Sequence, residues 1–111
     1  MDRVEQYRTI LRRIIEEYAS YKPSHGQIET EAIIDPSRDH YELMHVGWDG
    51  RRRVHGCVIH LDIIGGKIWV QEDGTNRPVV DELEAAGVPR EDIVPAFHPP
   101  EVRPLTGYAV A

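Results

Sequence analysis

The residues best suited to bind a metal ion are histidines and acidic side chains near the middle of the chain. The sequence contains six histidines, and His45, His60 and Asp62 share one face of the strands predicted below. His60 lies several residues along from the position opposite His45, too far for the two rings to share an ion. His60 and Asp62 alone provide two ligands, and the sequence has no paired-cysteine or His-Glu-x-x-His motif. We therefore predict no metal site and no cofactor.

Three consecutive arginines, Arg51, Arg52 and Arg53, are a second candidate group. They follow the hairpin signal Asp49-Gly50 and precede a strand, so successive guanidinium groups point to opposite sides. Charge at a hairpin tip often serves only to keep the tip soluble, whereas guanidinium groups also bind carboxylates and phosphates. The sequence leaves both interpretations open.

Residues 51–75 predict a β-hairpin at the centre of a sheet, because β-favouring residues flank the two-residue turn Gly65-Gly66. That turn predicts the cross-strand pairs Ile64–Lys67, Ile63–Ile68, Asp62–Trp69, Leu61–Val70 and His60–Gln71. One face of the hairpin is then apolar, and the other mixes aromatic with polar side chains. We expect the apolar face to form the core.

The mixed face is the predicted contact surface. The strand register places Tyr41 on this face together with His60, Asp62 and Trp69. Large aromatic groups beside polar ones are typical of interface cores, although the C-terminal tail of the same chain could also cover them. The predicted partner-binding residues are Tyr41, His60, Asp62, Trp69, Arg51, Arg52 and Arg53.

The elements that position these residues are predicted from periodicity and turn signals. Residues 2–20 have apolar side chains at helical spacing, and strands are predicted at 27–34 and from 40 to 47 or 48, followed by the two strands of the hairpin. Short helices are predicted at 77–86 and 89–93, before an extended, proline-rich tail. The predicted class is α+β: an N-terminal amphipathic helix, a four-stranded antiparallel meander sheet, short C-terminal helices and the tail.

Length and charge restrict the possible functions. A chain of 111 residues suits one domain, predicted to span 1–111, and the net charge of −6 disfavours autonomous DNA binding. No apolar run is long enough to span a membrane, and the first residues lack an apolar signal core, so we expect a cytoplasmic protein. Cys57 alternates with apolar residues, and a small buried hydrophobic role is expected for it. Neither a nucleophile motif nor a phosphate-binding glycine loop occurs, so we predict no enzymatic activity.

Two blocks carry a family resemblance, VGWDGRRRVHGCVIHLDIIGGKIWVQEDGT and DELEAAGVPREDIVPAFHPPEVRPLTGYAVA, together with the opening DRVEQYRTILRRIIEEYA. The whole chain closely resembles the XisI family, the fdxN element excision controlling factor proteins of cyanobacteria. The resemblance implies a small accessory protein that acts beside a partner, XisH, when a separate recombinase excises a DNA element. It brings no catalytic residues.

The resemblance implies a non-enzymatic factor that binds a XisH-like protein, itself similar in fold to nucleases, as its chaperone, inhibitor or specificity subunit. Direct DNA binding through Arg51, Arg52 and Arg53 is the alternative function. The apolar end at Tyr108, Ala109 and Val110 is expected to pack on this sheet or on a second subunit. We also expect a homo-oligomer, a dimer, because one short helical layer leaves apolar sheet surface uncovered.

Overall fold

A computed structural model describes residues 2–23 and 26–111, so His25, one of the six histidines, lies outside the described residues. The helices and strands are α1 (Arg3–Ala19), β1 (Gln27–Asp35), β2 (His40–Asp49), β3 (Arg52–Ile64), β4 (Lys67–Asp73), α2 (Val79–Ala85) and β5 (Ile93–Val94). Two short 3-10 turns lie at Arg90–Asp92 and Arg103–Leu105. The predicted α+β class is confirmed.

The strands form one sheet in the order β1-β2-β3-β4-β5. The first four pair antiparallel, as the meander prediction required, and β5 pairs parallel with β4. The sequence prediction missed this fifth strand. Two residues, Ile93 and Val94, are too short to show an alternating pattern, and their pairing depends on where the chain returns after α2.

Helix α1 covers one face of the sheet, which we call the helix-covered face. Asp2 caps the helix by accepting a hydrogen bond from the Glu5 backbone amide at 3.1 Å. The buried side of α1 carries Tyr7, Leu11, Ile14 and Ile15. These side chains share one core with apolar residues of the strands and of α2, namely Tyr41, Leu43, Ile59, Leu61, Ile63, Ile68, Val70, Val79 and Leu83. Burial of this apolar area provides the main driving force for folding.

Two β-bulges change the predicted register. From the turn at Gly65-Gly66 the pairs are confirmed as far as Leu61–Val70, but the next pair is His60–Glu72, so the predicted pairing of His60 with Gln71 is wrong. The extra residue in β4 is Gln71. Val58 is the extra residue in β3, because Leu43 pairs with Ile59 and Met44 pairs with Cys57. Each bulge reverses the alternation beyond it and so changes which side chains share a face.

The C-terminal tail packs against its own chain. The Phe97 amide donates to the Val70 carbonyl at 3.2 Å, and the Ala109 amide donates to the Ile93 carbonyl at 2.9 Å. Tyr108 donates its hydroxyl proton to Glu84 of α2 at 2.9 Å. Of the two expected docking places for the apolar end, the structure therefore shows the chain's own sheet.

In the described part of the chain, the helices are too short or too polar to cross a bilayer.

Candidate functional site

The face of the sheet opposite α1 carries the candidate functional residues, and we call it the open face. The alternation and register of the strands place on it Glu29, Glu31, Ile33, His40, Glu42, Met44, Val46, Trp48, His55, Cys57, His60, Asp62, Trp69 and Gln71. Trp48 is 50% exposed and Ile33 is 42% exposed, which is high for large apolar side chains in a sheet. The open face therefore combines exposed apolar groups with acidic and imidazole groups.

A compact polar cluster formed by His40, His60 and Asp62 lies on the open face. One carboxylate oxygen of Asp62 lies 2.6 Å from His40 Nδ1 and 2.9 Å from His60 Nε2. The other carboxylate oxygen accepts a hydrogen bond from the Gln71 side-chain amide at 3.2 Å. The Asp62 side chain is 7% exposed, whereas that of His40 is 51% exposed. A nearly buried carboxylate is thus stabilised by three polar neighbours.

The strand register brings this cluster together. His40 begins β2 and pairs directly with Asp62 of β3. His60 lies two residues before Asp62, so both side chains point to the same face. The bulge at Val58 places Glu42 opposite His60, where its carboxylate lies 3.6 Å from the second ring nitrogen of His60. All four side chains are therefore held by regular strand backbone.

This geometry corrects the interpretation of the histidines. His45 pairs with Gly56 on the helix-covered side, where it borders a cavity of about 310 Å³ together with Tyr18 and Val58. It does not share a face with His60 as predicted. The conclusion that His60 and Asp62 lack a third convergent group is also wrong, because His40 supplies one. His40 carries only a weak signal in the sequence, since its partner on β3 depends on the bulge.

The electrostatics of the cluster favour positive charge on His40. Its hydrogen bond to Asp62, together with the negative charge of that carboxylate, raises the pKa of His40 above its ordinary value. At Cys57 the effect is different, because burial raises the pKa of the thiol and keeps it protonated. The cluster can therefore hold a proton or a cation, while the thiol does not have the properties of an activated nucleophile.

The predicted position of Tyr41 on the same face as His60 is wrong. Tyr41 pairs with Leu61, and its side chain is fully buried in the core under α1. The bulge at Val58 is the physical reason, because a register counted from the hairpin turn without the extra residue puts Tyr41 on the opposite face. Its buried side chain is not available on the open face.

Trp69 does lie on the predicted face, but the tail covers it. The Arg103 guanidinium carbon lies 5.6 Å from the centre of the Trp69 ring, within the range of a cation–π contact. Val94, which pairs with Trp69 in β5, is fully buried. The alternative in which the chain's own tail covers this part of the sheet is therefore observed at the β4–β5 side, and the β1–β3 side stays open.

The predicted arginine cluster forms the tip of the β2–β3 hairpin with a neighbouring tryptophan. Asp49 pairs with Arg52, so the turn residues are Gly50 and Arg51 and not Asp49-Gly50 as predicted. The Arg53 guanidinium carbon lies 5.2 Å from the centre of the Trp48 ring. Arg52 forms an ion pair with Asp49 at 3.3 Å. We define the hairpin tip as Trp48, Arg51, Arg52 and Arg53, a feature that sequence reasoning found without its tryptophan.

Comparison with known proteins gives one family. The XisI protein family matches residues 1–110. A crystal structure of the fdxN element excision controlling factor XisI from Anabaena variabilis is similar at 40% identity and a TM-score of 0.86, covering 99% of this chain and 100% of that one. A XisI-like protein from the same organism has 42% identity and a TM-score of 0.90, covering 97% of this chain and 99% of that one. A comparison with curated proteins gives no match. The chain belongs to the XisI family.

Proposed function

We propose that this protein is a non-enzymatic accessory factor that controls the excision of a DNA element by binding a XisH-like partner protein. The observation that carries the proposal is the similarity along the whole chain to a protein described as an excision controlling factor. A controlling factor acts by binding, so its function needs a contact surface. The open face and the hairpin tip provide a surface of that kind.

The hairpin tip is the part of the open face best suited to bind the partner. Tryptophan and arginine are the residue types most enriched among the side chains that dominate interface energies. Trp48 is half exposed, and the Arg53 guanidinium covers its ring at 5.2 Å, which limits the conformations that the pair would lose on binding. Of the other residues predicted to bind the partner, His60 is half buried, and Asp62 and Trp69 are covered within the chain.

Complex formation with a XisH-like protein tests the proposal. We expect the two proteins, co-expressed and purified, to elute together from gel filtration at micromolar concentration. This chain, purified without its partner, should show no nuclease or hydrolase activity. Separate elution of the two proteins at that concentration would rule out a stable complex and with it the proposal.

Direct DNA binding is a second candidate function, and the exposed arginines at the hairpin tip favour it. A two-stranded ribbon tipped with arginines has a shape that fits a DNA groove. The net charge of −6 opposes it. Retention of duplex DNA at low salt distinguishes direct DNA binding from binding to a protein partner alone, because phosphate contacts strengthen as salt falls. Retention that is lost in an Arg51→Ala, Arg52→Ala double variant would favour DNA binding, and absence of retention would exclude it.

We also propose that the protein forms a homodimer. Ile33 on the edge strand β1 and Trp48 at the hairpin tip are both large, apolar and about half exposed. Exposed apolar side chains on a free sheet edge favour association with a second copy. Light scattering should give twice the chain mass, and a monomer mass at micromolar concentration would refute the dimer.

A further inference from the structure

The cluster of His40, His60 and Asp62 has the composition of a transition-metal site. We propose that these three side chains bind one zinc-class divalent cation on the open face of the sheet. Their ligand atoms all lie within 4.8 Å of one another, so one ion can contact all three. Two imidazole nitrogens and one carboxylate oxygen suit zinc, and they leave its fourth tetrahedral position to water.

The observed distances need only a small adjustment to admit the ion. The Asp62 oxygen lies 2.6 Å from His40 Nδ1 and 2.9 Å from His60 Nε2. Ligand atoms around a tetrahedral zinc lie roughly 3.3 Å apart, given the usual bond lengths. The His40–Asp62 distance must therefore open by roughly 0.7 Å and the His60–Asp62 distance by roughly 0.4 Å. Rotation of the half-exposed His40 ring can supply the larger of the two changes. Because the His40 side chain is half exposed, the ion can also reach the cluster from solvent on that side.

Groups around the cluster hold two of the three ligands in position. Gln71 donates to the second oxygen of Asp62 at 3.2 Å and fixes the plane of the carboxylate. The Glu42 carboxylate lies 3.6 Å from His60 Nδ1 and attracts the ring proton to that side. Without an ion, Nε2 of His60 donates to Asp62 at 2.9 Å, and when an ion takes Nε2 the ring proton can move to Nδ1 beside Glu42. Outer groups that orient the ligands in this way are a regular feature of protein metal sites.

The charges around the cluster also favour a cation. Glu42 and Glu72 pair with His60 from the two neighbouring strands, and Asp35 pairs with His40 from β1. Of the basic groups on this side, Arg38 forms an ion pair with Asp35 at 3.0 Å, and Arg103 lies over the ring of Trp69, the residue paired with Asp62. Acidic side chains thus approach the two histidines from β1, β2 and β4, so a bound divalent ion would lower their mutual repulsion.

Metal binding to the untagged, chelator-treated protein tests the proposal. Calorimetric titration with zinc chloride should give one ion per chain, and cobalt(II) should give the visible absorption bands of a tetrahedral site. His60→Gln should weaken zinc affinity by about 100-fold or more, the upper end of what changes in outer groups cost. His55→Gln is the matched control, because it removes an exposed histidine of the same face and leaves the cluster intact.

His40→Gln provides a second variant that does not depend on a buried group. Its ring is half exposed, so the variant should fold like the wild type and still lose zinc affinity by about 100-fold or more. Zinc at a hundredfold excess over its dissociation constant should raise the melting temperature of the wild type by roughly 10 °C. The proposal is overturned if the wild type binds no zinc, or if both cluster variants bind it as tightly as His55→Gln does.

Discussion

The two faces of the sheet are built by different rules. On the helix-covered face, Leu11 and Ile15 of α1 pack on strand residues that are also fully buried, such as Leu61. On the open face, the nearly buried carboxylate of Asp62 is surrounded by imidazole and amide side chains. Burial on the first face supports stability, whereas the second face keeps large apolar side chains such as Trp48 and Ile33 about half exposed, as the proposed partner contact requires.

The largest effect is expected in the core of the helix-covered face. Leu11→Ala removes a fully buried side chain and leaves a cavity, so the free energy of unfolding should fall by about 3 kcal/mol. Urea denaturation followed by circular dichroism measures the loss. Leu105→Ala is the matched control, since Leu105 is 84% exposed and its truncation should change stability by less than about 0.5 kcal/mol.

A smaller effect is expected at the hydroxyl end of the same core. Burial, together with the hydrogen bond to Asp92 at 2.5 Å, raises the pKa of Tyr7 to about 12. A raised folded pKa stabilises the fold fully below pH 10 and loses that contribution as the pH rises through 12. The loss should be about 1–2 kcal/mol once solvent screening is allowed for.

Tyr7→Phe isolates this contribution from that of the other tyrosines. The pKa values of Tyr18, Tyr41 and Tyr108 are also raised by burial, so both proteins should lose stability at alkaline pH. Between pH 10 and 12 the free energy of unfolding of the wild type should fall by about 1–2 kcal/mol more than that of the variant. Parallel urea curves for the two proteins over this range would show that the Tyr7 hydroxyl is not linked to folding.

On the open face, removal of the Asp62 carboxylate should lower the free energy of unfolding by less than a core truncation does. Asp62→Ala leaves His40, His60 and Gln71 without their acceptor, but these side chains are partly exposed and can turn to water. The expected loss is about 1 kcal/mol in the presence of a chelator, measured by urea denaturation. A loss as large as that of Leu11→Ala would show that the open face is as important for stability as the core.

The sequence predicted the fold wherever local patterns decide it. The amphipathic repeat located α1, and Gly65-Gly66 fixed the β3–β4 register as far as Leu61. Beyond that point the bulges at Val58 and Gln71 shift the pairing, and the positions of bulges depend on packing between strands, which no local pattern records. The candidate site was therefore predicted only in part. His60, Asp62 and the arginines were found, whereas His40 and Trp48 were missed and Tyr41 was misplaced.

The affinity of the hairpin tip for a XisH-like partner tests the central claim most directly. Trp48→Ala should leave the free energy of unfolding within about 1 kcal/mol of the wild type, because the ring is half exposed. The same change should weaken partner binding about 30-fold or more, measured by calorimetric titration with Leu105→Ala as the control. Equal affinity of Trp48→Ala and the wild type would contradict the assignment of the hairpin tip as the contact surface.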